Sequence, residues 1–226
     1  MKKGFNLAEV LITLGIVGVV ASLNLPNVIS NYKKARTVAK LKHSYSAISQ
    51  ALTLAEAEYG DPANWGIEFQ KGIPTENFNR EEYLTNFVQK FILPYLKSAK
   101  DYGFISALSK FEYTASSWVS YYFMLSNGAL VETTFSTGCV KYEGDVCVQR
   151  GYYNLQLKID INGLNPPNKL GKDIFITEYE PNIGKYQMFR YVSDRTRSLE
   201  NCKTEGISCG YIIQMDGWRM APDYPR

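Results

Sequence analysis

Histidine is almost missing from this chain: His43 is the only one among 226 residues. A lone imidazole on a charged, polar helix stretch cannot anchor a His-based catalytic triad, and it leaves no histidine set for zinc. No Cys-x-x-Cys spacing occurs, no H-E-x-x-H and no P-loop, and the acids are scattered without a pairing signal. Charge of one sign is also lacking. Lysine and arginine number 25 against 22 acids, for a net charge of +3. That balance argues against nucleic acid as a partner, because phosphate binding needs a basic excess. No internal repeat or low-complexity segment is present. These absences point away from an enzyme.

What is present is concentrated at the start. Lys2 and Lys3 precede Gly4, and residues 5–25 form one mostly apolar run carrying a single carboxylate, Glu9. About 20 apolar residues suffice to cross a bilayer. The basic flank before the run predicts a short cytoplasmic N-terminus and an exported remainder. An ordinary secretory signal needs a small-residue cleavage site, for which Ala21-Ser22 is the available position. A plain anchor needs only length. Neither accounts for Glu9, since a charge in an apolar span is costly and marks function by default.

Lys3-Gly4-Phe5-x-Leu7-x-Glu9-Val10-Leu11 resembles the N-terminus of type IV pilins and type II secretion pseudopilins. The resemblance implies cleavage between Gly4 and Phe5 by a prepilin peptidase, followed by N-methylation of Phe5. Glu9 then becomes an assembly residue that meets the Phe5 amine of a neighbouring subunit. Either charge alone is expensive in an apolar bundle, and together they compensate, so the pair rewards axial register. The resemblance also implies an α+β "lollipop": a long N-terminal helix, half membrane and half amphipathic, packed on an antiparallel β-sheet head. The expected divisions are a leader at 1–4, a membrane and filament-core helix at 5–25, its amphipathic continuation at 26–59, and a globular head at 60–226. Implied partners are other pilin or pseudopilin subunits, the prepilin peptidase, an inner-membrane assembly platform and, before assembly, inner-membrane lipid. The implied location is a single-pass inner-membrane protein with a periplasmic head, later a pilus or pseudopilus filament. A tip adhesin or DNA-binding minor pilin, or a signal-anchored exported enzyme, are the alternatives.

The helix pattern continues past the apolar run. Val38, Leu41, Tyr45, Ile48, Leu52 and Ala55 recur at steps of three and four, one face of a helix. Pro26 is expected to kink or locally melt it, and Gly60-Asp61-Pro62 to end it. His43 lies off the apolar stripe. A second helix is expected over 81–96. Residues 118–125 and 129–136 read as a hairpin turning at Ser126-Asn127-Gly128. Residues 152–161 alternate cleanly, with Leu155, Leu157, Ile159 and Ile161 on one face, and should pair with 129–136. Further strands are expected at 186–192 and 211–215.

All four cysteines fall in the exported part, where an even count reads as disulfides. Three pairings exist in principle; the local pairs Cys139–Cys147 and Cys202–Cys209 are expected, each stapling a short loop. After the 152–161 strand comes D-x-N-G, then Pro-Asn and Gly-x-Asp. Asp160, Asn162 and Asp173 offer oxygens that suit a hard cation such as Ca²⁺. Turn chemistry accounts for the same residues without a metal. No other cofactor is expected.

Overall fold

A computed structural model describes residues 6–65, 79–104, 119–143 and 146–225, with the side chains of 136–153 and of position 182 outside that description. Gly4, Phe5, the expected loop at 66–78 and Trp118 lie outside the described residues.

The first described element is one 53-residue helix, α1 (Leu7–Tyr59). At 1.5 Å per residue it is about 80 Å long. Asn6 caps its start, accepting from the Ala8 N–H, while the Glu9 carboxylate accepts from the Asn6 N–H at 3.1 Å. Gly60 ends it in a positive-φ conformation that a side chain disfavours. The helix runs unbroken through Pro26, so the expected local melting does not occur. The neighbouring Asn24 side chain donates to the Val20 carbonyl at 2.8 Å, bracing the turn that precedes the proline.

Helix α2 (Arg80–Phe91) follows, with a 3-10 turn at Leu93–Tyr95. Among the described residues six strands form one antiparallel meander in sequence order: β1 (Lys100–Gly103), β2 (Tyr121–Met124), β3 (Leu130–Glu143), β4 (Val146–Asp160), β5 (Ile174–Glu180) and β6 (Lys185–Met188). Two short helices close the chain, α3 (Arg195–Thr204) and α4 (Cys209–Met215). The architecture is α+β, a long helix with a sheet head.

Alternation decides which sheet face meets α1. Phe123, Val131, Leu155, Leu157, Ile159, Phe175 and Tyr179 are buried in one cluster with Leu41, Ile48 and Leu52 of α1 and Phe87 of α2. Burying a large apolar side chain stabilises by about 1.5–3 kcal/mol, so this face is the main core. The opposite face holds Tyr122, Leu130 and Ile174. It also buries an ion pair, Lys158 to Glu132 at 3.2 Å, from directly opposed positions on β3 and β4.

Two further expectations are overturned. The stretch 211–215 is not a strand but lies within α4. Gly210 explains the preference: a Cβ there would meet Met188 Sδ at 2.9 Å and Phe175 at 3.5 Å, so the helix lies close against the sheet. The Cys139–Cys147 segment is not a loop either. The β3–β4 ladder continues into it as far as Glu143 opposite Val146, with Cys139 opposite Arg150 and Cys147 opposite Tyr142. The side chains of both cysteines are outside the described residues.

Candidate functional site

From Asn6 to Ile29 every residue of the helix is exposed, including Leu11, Ile16, Val17 and Leu23. The helix is long and apolar enough to cross a membrane, with none of its most apolar window buried by the head. An uncovered apolar surface of that size on a soluble monomer would be a liability. Glu9 sits on this part, exposed, with its carboxylate on the Asn6 N–H.

The second part of α1 is fastened to the head by polar bonds as well as by core contacts. Lys40 Nζ donates to the Ile161 carbonyl at 2.9 Å. The Tyr45 hydroxyl donates to the Tyr186 carbonyl at 3.2 Å, and the two rings stack at 4.9 Å. Asn127, in the β2–β3 turn, donates to Ser44 Oγ at 2.9 Å and lies 3.1 Å from His43 Nδ1. His43 is thus an exposed residue on a structural contact. The Tyr95 hydroxyl donates to Glu58 at 2.6 Å. Together these hold the helix and the sheet as one body.

The β4–β5 connector (161–173) brings the three expected cation ligands together. Asp160 accepts the Asn162 N–H at 3.1 Å. Asp173 accepts from Asn162 Nδ2 at 3.1 Å and from the Asn168 and Lys169 N–H groups at 2.8 and 2.6 Å. Gly163, at φ +66°, turns the chain, and a Cβ there would meet the Gly128 carbonyl at 2.9 Å. Asx bonding thus builds the loop, as turn chemistry requires. Yet three buried oxygens have no partner among the described residues: Asp160 Oδ2, Asn162 Oδ1 and Asn168 Oδ1. Buried polar atoms normally find a partner, and each orphan calls for an explanation. Asp160 is wholly buried, and that burial pushes its carboxyl up to about 7, with Asp173 adding to the rise and the Asn162 N–H and Lys40 opposing it. Among the described residues no three His, Cys, Asp or Glu side chains converge. The donor set is therefore two carboxylates with amide oxygens, which is hard-cation chemistry and not zinc chemistry.

Cys202 and Cys209 form a disulfide that links α3 to the start of α4. It packs under the connector: a Cβ at Gly171 (φ +77°) would fall 2.5 Å from Cys209 Sγ. Gly206-Ile207-Ser208-Cys209-Gly210 has the G-x-S-x-G spacing of a hydrolase nucleophile elbow, a motif that the reading of the sequence missed. The structure gives it another role. Ser208 is fully buried, its hydroxyl and N–H both donate to Asn201 Oδ1, and it follows a helix rather than a strand. The only histidine is committed to α1.

Residues 27–226 match the model of a family described as "Family of unknown function (DUF6613)", and the chain belongs to that family. It is 31% identical over 90 residues to the type II secretion system core protein G of Escherichia coli (strain K12), a match covering 37% of this chain and 61% of that protein. The chain thus spans less than two thirds of the relative's length. No solved structure matches.

Proposed function

We propose that this chain is a structural subunit of a type IV pilus or type II secretion pseudopilus. The observation that carries the reading is α1: one continuous helix, exposed and apolar over its first part and locked to a sheet head over its second. Such a helix can be stored in a membrane and then withdrawn into a bundle of its own kind without refolding the head. The divisions expected above follow: leader at 1–4, membrane and filament-core helix at 5–25, its continuation at 26–59, head at 60–226. The subunit waits in the inner membrane with its head in the periplasm. The partners are sister subunits, the prepilin peptidase and the assembly platform, and no catalysis is assigned to it.

Processing tests the reading. Mass spectrometry of protein purified from membranes is expected to show a mature chain starting at N-methyl-Phe5. A mature start after Ala21 or Ser22 would mean an ordinary exported protein.

The β4–β5 connector holds a calcium ion in this proposal. Its support is the set of orphaned oxygens on Asp160, Asn162 and Asn168 beside the Asp173 carboxylate. The ion would offset the charge that Asp160 carries at a wholly buried position. Calcium at a hundredfold over its dissociation constant is expected to stabilise the head by about 2.7 kcal/mol. Thermal melts of the full chain in detergent, with calcium and with a chelator, measure it. Asp160→Asn keeps the acceptor for the Asn162 N–H and should abolish the calcium-dependent rise. A rise that survives in Asp160→Asn places the ion elsewhere.

A further inference from the structure

A groove of about 430 Å³ opens where the head meets α1. Pro26, Ile29, Lys33 and Lys34 line it from the helix, and Lys172 from the β4–β5 connector. Met220, Tyr224 and Pro225 of the C-terminal tail form the remaining wall. That wall is built in: Tyr224 is buried and its hydroxyl donates to the Gly171 carbonyl at 2.7 Å, fixing the tail to the connector that carries Lys172. Three lysines face the groove, and among the described residues no carboxylate side chain lines it. None of the three makes a salt bridge among the described residues.

Its position along the helix decides the occupant. From Leu7 to Leu25 the exposed apolar stretch is about 28 Å long, close to the roughly 30 Å of a bilayer's hydrocarbon. The groove begins at the next residue, Pro26, at headgroup level. Tyr32, 65% exposed, lies on the same stretch of α1, where aromatic side chains favour the membrane interface. A site at that height with an apolar floor and a cationic rim matches one molecule in shape and charge.

We propose that this groove holds an anionic phospholipid of the storage membrane. Its phosphate lies among Lys33, Lys34 and Lys172, and its glycerol and upper acyl carbons lie on Ile29, Met220 and Pro225. The inference rests on the membrane-anchored reading of α1. It adds a specific site in which head and helix grip one lipid together, so that extraction into a filament must release it.

Native mass spectrometry of the full chain in a neutral detergent, with phosphatidylglycerol and phosphatidylcholine added in equal amounts, tests this. Phosphatidylglycerol adducts are expected to exceed phosphatidylcholine adducts at least about tenfold. Lys172→Gln alters an exposed lysine on the head and should reduce phosphatidylglycerol binding about fivefold, as expected for one lysine at an anionic lipid surface. Arg36→Gln lies on the same helix outside the groove and should leave binding unchanged. Equal binding of the two lipids, or equal losses in Arg36→Gln and Lys172→Gln, would overturn the site in favour of diffuse attraction. Displacement of the lipid by millimolar inorganic phosphate would overturn it in favour of a free anion. Dimers lost in Lys172→Gln, without lipid adducts, would overturn it in favour of a second subunit. Flotation of the wild type on pure phosphatidylcholine vesicles separates the two readings. If it floats without lipid preference, only the groove assignment fails; if it does not float, the anchor reading fails.

Discussion

Glu9→Leu should enter membranes and be processed as well as the wild type, yet be depleted more than tenfold from the sheared filament fraction. The substitution removes a charge from an apolar helix, so insertion does not suffer. What it removes in a filament is the partner of the neighbouring subunit's N-terminal amine. Leaving one member of a buried ion pair alone costs about 3–5 kcal/mol, and tenfold in an equilibrium needs less than half of that. The head is not involved. Among the described residues Glu9 bonds Asn6 alone, and the first buried residue of α1 is Val38, about 44 Å further along the helix. The measurement is the ratio of filament to membrane protein for both chains expressed together. Equal ratios would show that Glu9 does not set register here, and that the chain is a tip subunit or a simple anchor.

Lys158→Met is expected to cost about 3–5 kcal/mol of head stability, the largest single loss outside the apolar core. Lys158 and Glu132 are opposed across β3 and β4 and almost wholly buried, and Ser120 Oγ donates to the other carboxylate oxygen at 2.8 Å. Methionine fills the space of the lysine stem but leaves the Glu132 charge without a counterion. At about 2–4 °C per kcal/mol for a head of this size, the melting temperature should fall by roughly 10 °C. Glu132→Gln/Lys158→Met keeps an acceptor for Ser120 and removes both charges, so it should recover more than half of the loss. A double variant no more stable than Lys158→Met would show that the cost lies in packing and not in the stranded charge.

Much of the fold was legible because it is written in short periods. Steps of three and four picked out Leu41, Ile48 and Leu52, and alternation picked out Leu155, Leu157 and Ile159; all are buried on the shared core. Asn127-Gly128 marked the β2–β3 turn for its chemistry, and the side chain of Asn127 then proved to bond α1. Where a run was short and apolar the signal failed. Tyr211–Met215 fits a buried strand or a buried helix equally well by composition. β5, α3 and β1 were not read at all, being brief and only weakly periodic. The 139–147 segment read as a loop because a long hairpin leaves no local mark of where its strands end; the pairing of Cys139 with Cys147 concerns side chains outside the described residues.

Sequence alone determined α1 as an extended apolar and then amphipathic helix, the lone carboxylate within it, and the oxygens gathered near the end of β4. Each is a matter of residue type and spacing within a few turns. Only the tertiary structure decided that Asp160 is wholly buried with an oxygen unpartnered, that α4 is helical, and that Lys172 faces Lys33 and Lys34 across a groove closed by Tyr224. The reason is physical. Periodicity encodes which face of an element seeks cover. Which groups that cover strands from water, or sets side by side from far apart in the chain, depends on how the elements dock, and neither residue type nor spacing records it.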